Sequence, residues 1–275
     1  MFPTLMMNGF TIYVPIIEHY MLRQVRPLIS EIRDPELKQR VNNFVIQEFM
    51  HAREHDRSRE YLRNAGFKTE WLYRCTTYFV DTIVGNLANF CSVLFGKYFP
   101  LACVAGAEHW TTMTADINFS YPHFSKVKDS PMLWLFAWHG AEEIEHKSVT
   151  FDLLQHLKPG YALRVWAFLF VTVIFFFLNL FVISTLLFQL RWKEMLHPEL
   201  WVGAVFHLFI GAKVVPKSLL AFFDYLRPSF HPNDRDNAHL MELGFKIAKR
   251  GEVYGMTMRP IKKKSFKDYG VIEIV

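Results

Sequence analysis

The chain has 275 residues, enough for one globular domain and an additional segment. Hydrophobic residues make up 51% of it and charged residues 21%, a balance that excludes a disordered, collagen-like or low-complexity protein. The 31 Lys and Arg exceed the 26 Asp and Glu by five. This net charge of +5 fits an anionic surface but is too small to indicate a nucleic-acid partner.

The three cysteines, Cys75, Cys91 and Cys103, lack the spacing of a disulfide framework or a zinc ribbon. We therefore expect them to be reduced, as in a reducing compartment. The N-terminus lacks the basic and apolar regions of a secretory signal, and Glu18 and His19 interrupt its apolar stretch. No cleaved leader is expected.

The first 160 residues are predicted to be helical, because no run in them alternates apolar and polar residues as a strand would. Asp34 followed by Pro35 is typical of a helix start, with an N-cap acid and a proline at the first position. This helix is predicted to continue to about Asn64, and the segment Gly9 to Ile32 to form its antiparallel partner.

A second pair of helices is predicted further along the chain. Its first member is apolar and runs from Thr69 toward Tyr98, breaks at Pro100 and resumes to about Asn118. A polar turn follows at residues 120–129. The next helix is predicted to start at Ser130-Pro131 and to reach Leu157.

The segment Val165 to Leu190 carries no formal charge over 26 residues and is predicted to span a membrane, since roughly 20 apolar residues suffice. A second apolar stretch, Leu200 to Phe223, is weaker because it contains His207, Lys213 and Lys217. It could span, re-enter or lie flat on the membrane. If both stretches cross, the two ends of the chain share one side.

Between residues 245 and 267 the C-terminal tail holds eight Lys or Arg against Glu252 alone. By the positive-inside rule, this predicts a cytoplasmic tail at the inner membrane, with the helical domain on the cytoplasmic side. The predicted organisation is a helical bundle at residues 1–160, membrane-embedded helices at 161–224 and a basic tail at 225–275.

Two helices of the bundle each contain an E-x-x-H motif, Glu48 with His51 and Glu143 with His146. Positions i and i+3 lie about 60° apart around a helix axis, so each Glu and its His can face one interior point. One such motif is weak evidence. Two of them, with an inward Glu on each of two further helices, are the ligand set of dinuclear carboxylate sites in four-helix bundles.

Glu18 and Glu108 are the candidates for the two additional carboxylates. Glu18 lies 15 residues before the predicted turn near Arg33 and Glu48 lies 15 after it, so antiparallel packing brings them to similar height. Glu108 lies 16 residues before the turn near Phe124 and Glu143 lies 19 after it. Antiparallel packing therefore brings Glu108 and Glu143 within one helical turn of each other.

The predicted site is therefore a dinuclear metal centre. Carboxylates can bridge two cations, and imidazoles can complete the coordination of each one. Mixed oxygen and nitrogen ligands favour iron, with manganese or zinc as alternatives. The predicted metal ligands are Glu18, Glu48, His51, Glu108, Glu143 and His146. The alternative is that these residues form solvated or salt-bridged helix faces.

Three more residues lie one helical turn from the motifs. His55 follows His51, and His139 precedes Glu143, so each could be a further ligand or could hydrogen-bond to the carboxylates. Glu142 competes with Glu143. Glu143 is preferred because its spacing to His146 repeats that of the first motif.

With these motifs, residues 1–155 resemble the predicted metal-dependent hydrolases of the ferritin-like superfamily. The motifs that carry the resemblance are Asp34-Pro35-Glu36-Leu37, Gln47-Glu48-x-x-His51-x-x-x-His55, Glu108-His109-x-Thr111, Trp138-His139-x-x-Glu142-Glu143-x-Glu145-His146-Lys147, Phe151-Asp152 and Phe230-His231-Pro232. The chain has Arg59 near the position where the family tends to have an asparagine. The resemblance implies a ferritin-like four-helix bundle, followed here by one or two membrane helices.

Three functions are compatible with these features. A di-iron enzyme would use dioxygen to oxidise, hydroxylate or desaturate an apolar, lipid-like substrate from the bilayer. Since the sequence contains no nicotinamide or flavin fingerprint, its electron donor would be separate. The alternatives are a metal-dependent hydrolase, as the name of the family implies, and a non-catalytic membrane-tethered metal-binding protein. A homo-oligomer is compatible with each of them.

Overall fold

The computed structural model of the protein describes residues 2–121, 124, 128–190 and 195–254, and every regular element within them is helical. This confirms the predicted all-α class. Residues 191–194 of the link between the two apolar stretches, and the basic tail from residue 255 onward, lie outside the described residues. The same holds for much of the predicted turn near Phe124.

The first two helices form an antiparallel hairpin. Helix α1 spans Phe2–Val25 and α2 spans Pro35–Asn64, joined through a 3-10 turn at Arg26–Glu31. The carboxylate of Asp34 accepts a hydrogen bond from the backbone N–H of Glu36 at 2.9 Å, which confirms the predicted N-cap. The partner helix starts and ends earlier than predicted. The last part of the predicted helix is the 3-10 turn, with Pro27 in its first positions.

Helix α3 spans Thr69–Phe95, with one π turn at Phe79–Val84, and α4 spans Phe99–Phe119. The break between them comes earlier than the predicted Pro100. It lies at Gly96, whose φ of +118° is rarely accessible to other residues, and Pro100 instead occupies the first turn of α4. Helix α3 is also long and apolar enough to cross a membrane, which the sequence analysis did not anticipate.

The helix predicted from Pro131 to Leu157 is divided into α5, Pro131–His146, and α6, Val149–His156. Polar contacts surround the break. The Lys147 ammonium donates to the carbonyl of Arg235 at 2.6 Å, and the Ser148 hydroxyl donates to Asp152 at 3.0 Å. Asp152 lies one turn after Ser148, but Arg235 is distant in sequence from Lys147. Tertiary contacts therefore contribute to the break.

Helix α7, Tyr161–Gln189, corresponds to the predicted membrane span and is long and apolar enough to cross a bilayer. The weaker apolar stretch forms α8, Pro198–Gly211, and α9, Val214–Tyr225, which meet at an angle of 43°. At their junction Lys213 has a left-handed backbone with φ 55°. By length and composition alone, such a bent pair is compatible with a broken span or a re-entrant loop. Helix α10, Ala238–Ala248, packs on α5.

Four helices, α1, α2, α4 and α5, form a bundle, and α7 lies along its side. The indole N–H of Trp110 in α4 donates to the Thr172 hydroxyl of α7 at 2.9 Å, and the Tyr13 hydroxyl of α1 donates to Asn179 at 3.1 Å. At Gly106 an added Cβ would come within 2.8 Å of Val171, so glycine permits the close approach of α4 and α7.

Candidate metal centre

The bundle brings all six predicted ligand residues together in its interior. Helices α1 and α4 each contribute one glutamate, and α2 and α5 each contribute an E-x-x-H pair. Each of these residues is at most 3% exposed: Glu18, Glu48, His51, Glu108, Glu143 and His146. The inward alignment of Glu and His within each motif follows from the i, i+3 spacing.

The two motif glutamates lie between the two motif histidines. Glu48 Oε1 is 3.5 Å from His51 Nδ1 and 3.2 Å from His146 Nε2. Glu143 presents one oxygen to each histidine, with Oε1 3.8 Å from His51 Nδ1 and Oε2 3.5 Å from His146 Nε2. Both carboxylates are therefore placed to face two cations at once.

The other two glutamates lie on opposite flanks. Glu18 Oε1 is 3.9 Å from His51 Nδ1 and 3.4 Å from His139 Nε2. Glu108 Oε2 is 3.5 Å from His146 Nε2. Glu18 thus lies on the side of the cluster that contains His51, and Glu108 lies on the side that contains His146.

Two groups of side chains in this cluster could each hold a metal ion, with ligand atoms within 4.8 Å of one another. The first group is Glu18, His51, His139 and Glu143, and the second is Glu48, Glu143 and His146. Glu143 belongs to both. Glu108 belongs to neither, although it lies beside His146 of the second group.

Most carboxylate oxygens of the cluster and one nitrogen of each motif histidine lack hydrogen-bond partners. Both carboxylate oxygens of Glu18, Glu48 and Glu108 make no hydrogen bond, and neither do His51 Nδ1 and His146 Nε2. Burying several carboxylates without compensation is strongly unfavourable, so such a cluster needs cations or protons. Oxygen and nitrogen atoms that converge in this way fit divalent metal ions.

Further side chains orient the two motif histidines. His51 Nε2 lies 3.0 Å from Glu142 Oε2, and Glu142 accepts a second hydrogen bond from the indole N–H of Trp138 at 2.9 Å. His146 Nδ1 lies 3.4 Å from Gln47 Oε1. In each case the outer nitrogen is engaged and the inner nitrogen faces the cluster, as is usual for metal-binding histidines.

The structure distinguishes His139 from His55. His139 Nε2 lies 2.7 Å from Glu143 Oε1 and belongs to the first group, whereas its Nδ1 lies 2.7 Å from His55 Nε2. His55 thus contacts the cluster through His139. Glu142 likewise lies outside both groups.

Sequence reasoning gave no role to Thr111 and Gln47 beyond their place in family motifs. The hydroxyl of Thr111 donates to Glu143 Oε2 at 2.5 Å, and Gln47 connects His146 to Glu145. The one available signal was position, since Thr111 lies one turn after Glu108. Two other residues noted in the sequence lie away from the cluster. Arg59 stacks on the Tyr73 ring, and His231 lies 2.9 Å from Asp152.

The electrostatics of the cluster favour protons when cations are absent. Burial and the neighbouring carboxylates raise the pKa of Glu18 and of Glu108 well above the usual range. Burial opposes ionisation of Glu143 too, but the hydrogen bond from His139 and the nearby imidazole of His146 lower its pKa well below the usual range. For His51, burial is outweighed by Glu142 and Glu48, which raise its pKa. Metal binding would therefore displace protons from this site.

A small cavity of about 50 Å³ adjoins the cluster at His139, Glu143 and Thr111. A second cavity of about 1230 Å³ lies next to it, between the bundle and helices α7 to α9. The side chains that line both cavities are Met7, Phe10, Thr114, Asn118, Phe124 and Phe136. The cluster is therefore separated from a large, mostly apolar space by one layer of side chains.

The mouth of the large cavity lies among the apolar helices outside the bundle. Phe176 and Leu180 of α7, Trp201 of α8 and Leu219 of α9 line the cavity, and each of them is exposed. A molecule entering the cavity would therefore pass between apolar side chains.

The fold and the cluster define an all-helical protein with a buried His/Glu site suited to two metal ions. Residues 1–236 match the family described as predicted metal-dependent hydrolases, and the chain belongs to that family. This confirms the resemblance seen in the sequence motifs. No curated protein and no solved structure matches the chain.

Proposed function

We propose that this protein is a membrane-associated di-iron enzyme that uses dioxygen to oxidise, hydroxylate or desaturate an apolar, lipid-like substrate. The observation that supports the proposal most directly is the position of the carboxylate-rich cluster beside a large apolar cavity. The size of the cavity and its aromatic and aliphatic lining suit a long hydrocarbon rather than a polar metabolite.

The ligand set supports iron. Two irons held by the mixed carboxylate and imidazole ligands would supply the capacity to activate dioxygen. For hydroxylation, one oxygen atom enters a C–H bond of the substrate, and the other leaves as water with two electrons and two protons. The electrons would come from a separate donor protein or small reductant, since the chain has no flavin or nicotinamide motif.

The residues of the chain would position the substrate and handle protons. Phe10 and Phe136 line both cavities and would exclude water from the reacting carbon. The Thr111 hydroxyl, hydrogen-bonded to Glu143, can hold a proton at the wall of the small cavity. His139 and His55 form a second proton-holding pair on the same wall.

Hydrolysis is the second candidate, and one observation favours it besides the description of the family. His139 places an imidazole nitrogen 2.7 Å from Glu143 Oε1, at the small cavity. In a hydrolase this imidazole would accept a proton from the attacking water, whose pKa a metal ion lowers. The apolar lining of the large cavity would then select an ester with a long hydrocarbon part.

We further propose that the protein resides at the cytoplasmic face of the inner membrane, with the bilayer as its permanent partner. The apolar helices support membrane association, and the basic C-terminal sequence supports the cytoplasmic side. The three cysteines are free, as expected for a reducing compartment. Formation of a homo-oligomer stays a prediction from the sequence.

Metal content is the first test of this proposal. The full chain would be purified in detergent from cells grown without added metals, and the metals per chain counted by elemental mass spectrometry. The expected result is two irons per chain, and oxygen uptake when a reductant and a long-chain substrate are added. Zinc or manganese at this stoichiometry, together with ester cleavage, would favour the hydrolytic function over the oxidative one. Absence of stoichiometric metal would leave neither enzyme function standing.

A further inference from the structure

Helices α2 and α7 both pack against α1 and run in the same direction. At one end, Val41 of α2 and Ala167 of α7 belong to one buried cluster. At the other end, Leu62 of α2 and Leu186 of α7 belong to another. The shared length is roughly 20 residues, or ~30 Å at 1.5 Å per residue, which equals the hydrocarbon thickness of a bilayer.

The outer face of α2 is charged along this shared length. Arg53, Arg57 and Glu60 are exposed there, with side-chain exposures of 45%, 72% and 67%. If α7 crossed a bilayer along its axis, these charges would lie at the depth of the hydrocarbon. Charged side chains that face lipid are strongly disfavoured there.

Helix α3 leads to the same conflict. It packs antiparallel to α7, with the rings of Phe79 and Phe177 4.9 Å apart and those of Phe95 and Trp166 5.9 Å apart. Near its middle, Asp81 forms an ion pair with Arg23 in which the two side chains are 39% and 51% exposed. A crossing α3 would place this half-exposed pair near the bilayer centre.

The exposed apolar side chains are nevertheless concentrated on one part of the molecule. Of the 26 exposed large hydrophobic side chains among the described residues, 24 lie on α3, α7, α8 and α9. We call these four helices the apolar layer. Neighbouring members pack together, α3 on α7 through Phe177 and α7 on α9 through Phe168. The molecule thus has an apolar side and, across α1, a charged side formed by α2.

We propose that the apolar layer lies within a single leaflet of the bilayer, with its helices along the membrane plane and α2 facing water. Packed helix axes are ~8–10 Å apart, and one such layer fits within a leaflet of roughly 15 Å, half the hydrocarbon thickness. Amphipathic membrane-bound helices bury their apolar faces to a similar depth. In this orientation no exposed charge of α2 enters hydrocarbon.

This orientation places the mouth of the large cavity within the leaflet, because Phe176, Leu180, Trp201 and Leu219 belong to the apolar layer. An acyl chain could then enter the cavity sideways without crossing water. The orientation itself does not depend on the proposed chemistry.

Cysteine accessibility distinguishes the two orientations. Lys68 and Lys97 flank the two ends of α3, and both residues are exposed. In the full-length chain with Cys75, Cys91 and Cys103 replaced by alanine, the variants Lys68→Cys, Lys97→Cys and Arg53→Cys would be expressed singly. A membrane-impermeant maleimide would be added to spheroplasts and, separately, to inverted membrane vesicles.

All three cysteines are expected to react in one and the same preparation, the inverted vesicles if the cytoplasmic location holds. Reaction of Lys68→Cys and Lys97→Cys in opposite preparations would overturn the proposal, and so would protection of Arg53→Cys in both. Release of the unsubstituted protein from membranes by alkaline carbonate would also overturn it. Full labelling and wild-type metal content in detergent would confirm that each variant is folded. The orientation result is independent of enzyme activity, so it can fail while the proposed function survives.

Discussion

The two sides of the metal centre share the E-x-x-H motif but differ in their surroundings. The His51 side includes a third imidazole, His139, backed by His55, and it adjoins the small cavity. The His146 side has Glu108 instead, and the Phe44 ring packs against its imidazole with centroids 5.0 Å apart. The first side is thus open to a substrate and the second is closed by packing.

This difference shows how a symmetric motif can produce two unequal metal positions. Glu143 belongs to both ligand groups, and Glu48 also lies between the two motif histidines. Access is decided by the neighbours of each histidine. We therefore expect substrate to approach the position bounded by His139, while the position at His146 stabilises the site.

The largest expected effect is that of Glu143→Gln, because Glu143 belongs to both ligand groups. Its loss should reduce the metal content from two ions per chain to less than about half an ion per chain, measured by elemental mass spectrometry. The matched control is Glu60→Gln on the exposed face of α2, which should keep two. Retention of two metals in Glu143→Gln, with far-UV circular dichroism unchanged, would remove Glu143 from the site.

His146→Ala should separate the two positions. The second group then has no imidazole, whereas the first keeps Glu18, His51, His139 and Glu143, so one metal per chain is expected to remain. In contrast, His139→Ala leaves an imidazole in each group and should keep two metals, with affinity lowered roughly 10- to 100-fold at one of them. Equal losses in the two variants would show that the centre has no such asymmetry.

A larger side chain at Thr114 should slow turnover without removing metal. Thr114 lines both cavities, so Thr114→Phe should lower kcat/KM for long-chain substrates by at least roughly tenfold, about 1.4 kcal/mol of transition-state binding. Thr114→Val keeps the shape of the side chain and is the matched control. Unchanged kinetics in Thr114→Phe, together with two bound metals, would mean that substrate takes another path.

The smallest effect concerns pH and the metal-free protein. Because the pKa values of Glu18 and Glu108 are raised by burial and by neighbouring carboxylates, these two carboxyl groups bind more protons in the folded state than in the unfolded state above about pH 4.5. His55, His109 and His139, whose pKa values are lowered by burial, act in the opposite sense until about pH 6.5, where they are neutral in the unfolded state as well. Stability of the metal-free protein should therefore fall as pH rises from about 6.5 to 8, on the order of 1 kcal/mol per unit of pKa shift.

Thermal unfolding in chelator, followed across this pH range in detergent, measures that effect. His51 contributes with the same sign, since its raised pKa gives stability that is lost as pH rises. Excess metal should abolish the trend, because metal replaces the protons and adds about 2.7 kcal/mol at 100 times its Kd. A metal-free protein that gains stability between about pH 6.5 and 8 would contradict the assigned pKa directions.

Local sequence was sufficient to predict that the chain is helical and to select the six residues that the bundle brings together. The caps at Asp34 and Ser130 involve backbone groups two or three residues away, so they are visible in the sequence alone. The E-x-x-H spacing likewise fixes a direction on one helix, and equal distances from a turn fix the height. Helix ends at Gly96 and Lys147 were misplaced because a positive φ and distant polar partners decide them.

The sequence by itself therefore determined that the chain is helical, that it carries apolar helices and that two E-x-x-H motifs face inward, since each of these follows from short-range periodicity. Only the tertiary structure decided that His139 rather than His55 reaches the cluster, and that a large cavity lies between the bundle and helices α7 to α9. The same holds for the position of α7 along the side of the bundle. These features depend on which helices pack side by side, and such long-range contacts leave no period in the sequence.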